Sequence, residues 1–277
     1  MRIFLAGGSG VIGSRLVPVL TEAGHDVVAT TRRTEKLDRL REGGARGVVV
    51  DVYDAPRLAA VVHEARPDLV LHQLTDLGDF DTEANARLRR VGTANLVAAA
   101  QAADVGRMMV QSIAWAYVPG DAPAVEDDPV EPDSAVAAME GSVRRMPHAT
   151  VLRYGMLYGP GTWYAPGERV AGAVAAGLVP ATPAVTSFVH IDDVVDATVR
   201  AIDWPDGTYN VVDDEPAPAT EWLPVYAAGL GAPTPQVTEL PEGATPGYGA
   251  SNGRARAAGW VPKYASWREG FPRLPRS

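Results

Sequence analysis

The sequence contains no cysteine, and that absence removes disulfide frameworks, thiolate metal sites and cysteine nucleophiles together. Lysine is almost as scarce, occurring only as Lys36 and Lys263 in the 277 residues. No tyrosine lies between Tyr117 and Tyr154. Basic residues form no run, the acidic ones are dispersed, and the formal net charge is −9. Such a surface excludes a nucleic acid or a lipid surface as partner, so no nucleic acid and no membrane are expected. The opening apolar run Met1-Arg2-Ile3-Phe4-Leu5-Ala6 breaks at Gly7-Gly8, too early for a signal-peptide core or a span. A cytoplasmic location is therefore expected. What is present in quantity is apolar residue, 46%, enough to bury a globular core.

Arg2 to Ala6 reads as a strand ending in glycines, and the apolar spacing predicts a helix over 11–23 with Gly24 as its stop. Further strands are predicted over 25–30, 47–52, 69–74, 107–112 and 150–154, with helices over 35–42, 58–65, 87–103 and 134–145 between them. Strand and helix in alternation, with short connections, predict an α/β fold with a doubly wound parallel sheet. After Tyr117 the prolines Pro119, Pro123, Pro129 and Pro132 mark a loop, and Gly155 to Pro166 leaves the sheet. Short strands are predicted over 187–191 and 207–212 with a helix over 192–202. Residues 1–153 and 185–213 are expected to form the Rossmann domain, and 154–184 with 214–277 a small, partly interleaved substrate-binding cap.

Gly7-Gly8-Ser9-Gly10-Val11-Ile12-Gly13 follows the first strand and opens a helix, the context in which backbone N–H groups face a pyrophosphate. The segment fits GxGxxG from Gly8 and GxxGxxG from Gly7, and spacing does not choose. About twenty residues on, where an NAD site carries an acid for the ribose 2′-hydroxyl, the chain has Thr30-Thr31-Arg32-Arg33. Hydroxyls and guanidinium groups at Thr31, Arg32 and Arg33 bind a 2′-phosphate where a carboxylate would repel it. NADPH is the expected cofactor, with NADH use left open. Asp51 and Val52 are placed at the adenine, and Leu74 and Thr75 near the cofactor ribose.

The run Arg2 to Gly13, the helix Val91-Gly92-Thr93-Ala94-Asn95-Leu96-Val97, the segment Leu152 to Gly161 and the run Phe188-Val189-His190-Ile191-Asp192-Asp193 together resemble the NAD-dependent epimerase/dehydratase branch of the extended short-chain dehydrogenases/reductases. The segments Ser112 to Gly120 and Ser251 to Phe271 further resemble atypical actinobacterial members acting as ketoreductases on angucyclinones. The resemblance implies a Rossmann domain with an interleaved substrate domain, and Gln111 joins the cofactor-binding set. It also implies a Ser or Thr after the fifth strand and a YxxxK pair on the next helix. That pair is missing, and no shift of alignment restores it. The family pattern SSSxxxY laid on Gln111 to Tyr117 puts Ile113 at the hydroxyl position, while Val136 and Glu140 fall near the Tyr and Lys. Arg89 stands near the family's Asn.

Ser112, Tyr117 and Tyr158 remain as candidate proton donors, each with a plain packing reading beside it. His190 near Asp192 and Asp193 suggests no metal, since the resemblance makes this the start of a structural helix with Asp192 as its N-cap. His72, Met108, Met109 and Met139 read as core. The expected function is NADPH-dependent reduction of an aromatic polyketide-type ketone whose neighbouring phenol supplies the proton. Trp115, Trp163, Tyr164, Trp222 and Trp260 would supply flat walls. A non-enzymatic NADP sensor or scaffold and a nucleotide-sugar epimerase or dehydratase are the alternatives, and a monomer and a homodimer both fit.

Overall fold

The computed structural model describes residues 1–77 and 81–274. The strands in chain order are β1 (Arg2–Ala6), β2 (Asp26–Thr31), β3 (Arg46–Val49), β4 (Leu69–His72), β5 (Arg107–Ile113), β6 (His148–Tyr154), β7 (Met156–Tyr158), β8 (Val185–Thr186), β9 (Phe188–His190), β10 (Gly207–Val211) and β11 (Ala217–Pro218). The principal helices are α1 (Gly13–Glu22), α2 (Leu37–Glu42), α3 (Ala55–Ala65), α4 (Thr82–Arg87), α5 (Thr93–Ala102), α6 (Ala135–Val143), α7 (Arg169–Ala175), α8 (Ile191–Arg200) and α9 (Ala219–Leu230).

Seven strands form one sheet in the order β10-β6-β5-β4-β1-β2-β3. Pairing is parallel from β5 through to β3, with Ile3 opposite both Val27 and Leu69 and Val70 opposite Met108. Every residue of β4 is buried, the continuous pattern expected of a strand covered on both faces. The strand order reverses between β1 and β4, the switch point at which open α/β sheets bind ligands. The doubly wound α/β architecture expected from the sequence is the observed one.

The chain divides into two compact units, one of residues Met1–Ser112, Val130–Leu152 and Ala201–Thr208, the other of Ile113–Pro129, Arg153–Arg200 and Tyr209–Ser277. In the first, Phe4, Val28, Val70, Leu96, Met108 and Met139 share one core, confirming the methionines as packing. In the second, Tyr158, Phe188, Trp222, Trp267 and Phe271 share an aromatic core. The division departs from the expected domain limits at 113–129, 153, 185–200 and 209–213. Asn210 takes hydrogen bonds from Tyr117 and to Glu126, and β9 pairs with β7 rather than joining the large sheet. Residues 275–277 of the expected cap lie outside the described residues.

The helical stretch predicted over 87–103 starts earlier, at Thr82, and is interrupted. A π-turn, Leu88–Gly92, separates α4 from α5, and a Cβ on Gly92 would lie 2.9 Å from Val52 Cγ1. Periodicity counts 3.6 residues per turn and does not register the one extra residue that a π-turn inserts.

Candidate functional site

The glycine loop leaves β1 through Gly7 at φ +90°, where a Cβ would also lie 2.7 Å from the Gln73 carbonyl oxygen. The Gly10 N–H donates to the Gly7 carbonyl at 3.1 Å, and a Cβ on Gly13 would lie 2.2 Å from that same oxygen. Gly7 and Gly13 therefore set the turn, and the two registers that spacing left open share Gly10 and Gly13. Gly8 is glycine for a different reason, since its Cβ would meet Ala29 Cβ at 2.7 Å. Gly10 is the exception. Its Cβ would have only the Gly7 oxygen near it, at an ordinary 3.4 Å, so the protein itself leaves room for a side chain there and carries none. Gly10 and Val11 are exposed, Ile12 is buried behind them, and α1 begins at Gly13 with no side-chain cap. An exposed glycine turn before an uncapped helix N-terminus fits a dinucleotide pyrophosphate.

Side chains from β2 brace this loop. The Gly7 N–H donates to Thr30 Oγ1 at 3.2 Å, and Ser9 Oγ donates to Thr31 Oγ1 at 2.9 Å. Thr31 Oγ1 also accepts the Arg33 N–H, so this hydroxyl holds the loop. Arg32, expected at a 2′-phosphate, places both terminal nitrogens on Asp76 at 3.0 and 3.2 Å. That carboxylate claims the fork the phosphate would need, a correction to the sequence reading. Arg33 is exposed and pairs with no carboxylate among the described residues. Lys36, which the sequence reading passed over, brings Nζ to 3.5 Å from the Ser9 carbonyl. Its signal was its place, three residues beyond Arg33, at the start of the next helical segment.

Replacing Arg33 by Ser is expected to raise KM for NADPH roughly 10- to 100-fold and to leave KM for NADH within about threefold, because a charge-assisted hydrogen bond contributes about 1.5–3 kcal/mol. Arg32→Ser should have the smaller effect. Steady-state kinetics with both cofactors check this, and equal changes would remove the 2′-phosphate assignment.

Asp51 and Val52 do not end a strand. β3 stops at Val49, after which Asp51 Oδ1 accepts the Tyr53 N–H at 2.9 Å and turns the chain. Val52 is buried and its carbonyl accepts from Asn95 Nδ2 at 3.0 Å. Beside them the Arg87 guanidinium lies 4.6 Å over the Tyr53 ring. β4 likewise ends early, at His72, whose Nδ1 accepts the Leu74 N–H while Nε2 meets Thr93 Oγ1 at 2.8 Å. Burial pushes His72 down to about 4, so it is a neutral core residue. The Leu74 carbonyl accepts from Gln111 Nε2 at 3.1 Å, tying the ends of β4 and β5, and Thr75 is exposed.

Of the three candidate proton donors, Ser112 and Tyr117 are committed to other partners, and Tyr158 is sealed in the core with no hydrogen-bond partner for its hydroxyl among the described residues. Ser112 Oγ donates at 2.6 Å to Glu140 Oε1, and Glu140 is fully buried with its other oxygen on Arg144 Nη2 at 2.8 Å. Tyr117 Oη donates to Asn210 Oδ1 at 2.6 Å, an orientation fixed because Asn210 Nδ2 donates to the carbonyls of Ala124 and Ser251. Burial pushes the Tyr117 phenol up, against an opposing pull from Arg153, whose guanidinium lies 4.6 Å over the ring. Tyr158 is fully buried, edge-on to Phe188, His190 and Phe271, and burial raises it far beyond the ordinary phenol range. Tyr158 is core, and Ser112 and Tyr117 are structural donors.

His190 serves its own helix. α8 starts at Ile191, one residue before the expected N-cap, and the Asp192 N–H donates to His190 Nδ1 at 3.2 Å. Among the described residues no group of His, Asp and Glu is arranged to hold a metal.

The second unit contains a cleft of about 250 Å³ lined by Trp115, Tyr117, Met156, Ser187, Pro246 and Tyr248 among others. Trp115 and Tyr248 are exposed large aromatics. Of the five aromatic walls expected, Trp115 lines this cleft, whereas Tyr164 and Trp222 belong to the aromatic core and Trp260 is wholly buried. Ala114 and Trp115 follow β5 directly along the chain.

Residues 3–212 match the family described as the NAD dependent epimerase/dehydratase family. The chain belongs to that family. Among curated relatives, the 3-diazoavenalumate denitrifying reductase of a Streptomyces species is 42% identical over 99% of this chain and 100% of its own length. A UDP-glucose 4-epimerase of Mycolicibacterium smegmatis is 31% identical over 96% of this chain and 95% of its own. The structure of a Thermus thermophilus UDP-glucose 4-epimerase in complex with NAD is similar with a TM-score of 0.79 at 25% identity, covering 99% of this chain and 97% of that one. Within this family fold the described residues contain no helix long and apolar enough to cross a membrane.

Proposed function

We propose that the protein is an NADPH-dependent reductase that transfers hydride to an aromatic acceptor needing no proton from the protein. The observation that carries this reading is the Ser112–Glu140–Arg144 chain. Next to Ile113, where the family resemblance expects a hydroxyl, the Ser112 hydroxyl proton points at the sealed carboxylate of Glu140, near the position where it expects the Lys. Gly7, Gly10 and Gly13 with the N-terminus of α1 would hold the pyrophosphate, and Arg33 with Lys36 the 2′-phosphate. When bound, the reduced nicotinamide supplies the hydride. The cleft beside Trp115 and Tyr248 would take the acceptor.

The relative named a denitrifying reductase suggests which acceptor this is. An arenediazonium ion takes up hydride as a new C–H bond while the C–N electron pair leaves with dinitrogen, so charge and atoms balance without an acid. A ketone hydrogen-bonded to a neighbouring phenol, of the type handled in simocyclinone (angucyclinone) biosynthesis, meets the same condition because the phenol gives the proton. Epimerisation of a nucleotide sugar does not, since it requires a base at the position the missing Tyr would hold.

The test is turnover of 4-deuterated NADPH with an arenediazonium, with a phenol-bearing aromatic ketone and with UDP-glucose. Dinitrogen release with deuterium in the arene supports the first reading, and a deuterated alcohol the second. UDP-galactose formation from UDP-glucose, or cofactor binding without turnover of any acceptor, would overturn both. In the active assay Ser112→Ala and Tyr117→Phe should each lower kcat less than tenfold, well under the roughly 10²- to 10⁴-fold that general acid catalysis contributes.

A further inference from the structure

The Arg32–Asp76 ion pair lies within the first unit and flanks the glycine loop on both sides. In sheet order β1 stands between β4 and β2. Arg32 is the first residue after β2, and Asp76 belongs to the stretch that follows β4. The pair therefore joins two chain ends that are two strand spacings apart, about 10 Å, past the end of β1 from which Gly7 departs. Each end touches the loop. On the β4 side the Gln73 N–H donates to the Ala6 carbonyl, and the Gln73 oxygen would lie 2.7 Å from a Cβ on Gly7. On the β2 side Ser9 Oγ donates to Thr31 Oγ1 at 2.9 Å.

The carboxylate is anchored for this contact. The Asp76 N–H donates at 3.0 Å to Oδ1 of Asn85, a buried side chain of α4. Its two oxygens take Nη2 and Nη1 of Arg32 at 3.0 and 3.2 Å. The hydrogen bond to Asp76 is the main influence raising the Arg32 pKa, with Asp51 and Tyr53 adding to it through space. Arg33 and Lys36, the next two cations along the chain, form no ion pair among the described residues. Of three cations that follow β2, the first alone is neutralised, and the acid that neutralises it comes from another strand.

We propose that Asp76 is a specificity-determining residue for the dinucleotide, which holds the Arg32 guanidinium off the 2′-phosphate and so narrows the preference for NADPH over NADH. This inference rests on the reading that Arg33 and Lys36 face that phosphate. Paired, Arg32 and Asp76 bring no net charge to it. Without the carboxylate, the freed fork can take two phosphate oxygens. Without the arginine, the bare carboxylate repels them. The two substitutions therefore act in opposite directions.

The experiment is calorimetric titration of the full chain with adenosine 2′,5′-bisphosphate and with AMP, which differ by the 2′-phosphate alone. Wild type, Asp76→Ala, Arg32→Ser and the double variant are compared. Asp76→Ala should bind the bisphosphate roughly thirtyfold more tightly than wild type, the range of a charge-assisted hydrogen bond. Arg32→Ser should bind it about threefold less tightly, and adding Asp76→Ala to Arg32→Ser should recover only that loss. AMP affinity should stay within about twofold throughout, and the melting temperature within about 3 °C, because a partly exposed ion pair contributes little to folding.

No gain for the bisphosphate in Asp76→Ala would overturn the inference. So would an equal change for AMP, which a merely structural tie would give, or the full gain persisting without Arg32, which would make Asp76 act on the phosphate directly. Arg33→Ser, titrated alongside, tests the underlying cofactor reading through its loss of preference for the bisphosphate over AMP. Either result can fail while the other holds, and neither depends on turnover.

Discussion

Gly10→Leu is expected to abolish cofactor binding while the protein stays folded. At Gly10 the nearest atom to an added Cβ is 3.4 Å away, and the backbone does not sit in the left-handed region. The side chain would therefore extend over the exposed surface in front of α1 and fill the space the pyrophosphate needs. The dissociation constant for NADPH should rise on the order of 10³-fold, about 4 kcal/mol, with the melting temperature within a few degrees of the wild type. Gly13→Ala is the matched opposite. Its Cβ would press on the Gly7 oxygen at 2.2 Å and on Gly8 Cα at 2.8 Å, so both binding and thermal stability should fall. Calorimetric titration and thermal unfolding of the two variants, run side by side, separate a site from a scaffold. Retained NADPH binding in Gly10→Leu would show that the dinucleotide lies elsewhere.

The second large effect is expected at Arg144. Its side chain is 44% exposed, while its partner Glu140 is 0% exposed. Removing the arginine takes the cationic partner from a buried carboxylate, and leaving a buried charge without its counter-ion costs about 3 kcal/mol or more. In a chain of this length that is a fall in melting temperature of roughly 10 °C. Glu140→Gln should cost much less, because it removes the buried charge, and the half-exposed Arg144 turns to water. Equal destabilisation by both substitutions would mean that the carboxylate is not the charge that matters.

These outcomes would bear on chemistry as well as on folding. The sealed Ser112–Glu140–Arg144 chain holds the end of β5 together electrostatically. Under the proposed reading, an acceptor that expels dinitrogen on receiving hydride, or that carries its own phenolic proton, needs no acid there.

The α/β class, the doubly wound sheet, the glycine loop and the family were legible because they rest on local, short-range signals. Apolar runs of four to seven residues, glycines where the backbone has no room for a Cβ, and the strand-turn-helix order all operate within a few residues of chain. The absence of any Tyr between Tyr117 and Tyr154 and of any Lys between Lys36 and Lys263 was equally legible, since counting residues needs no coordinates. Side-chain partners across the sheet were not legible. Nothing near Arg32 in sequence announces Asp76, 44 residues on, and nothing near Ser112 announces Glu140, 28 residues on. The same holds for Tyr117 and Asn210, brought together across 93 residues.

Local pattern fixes which backbone elements form, because hydrogen bonding and burial within an element depend on near neighbours. Which polar groups are already spent depends on packing between elements, and that alone turned Ser112, Tyr117 and Tyr158 from candidate acids into structural residues.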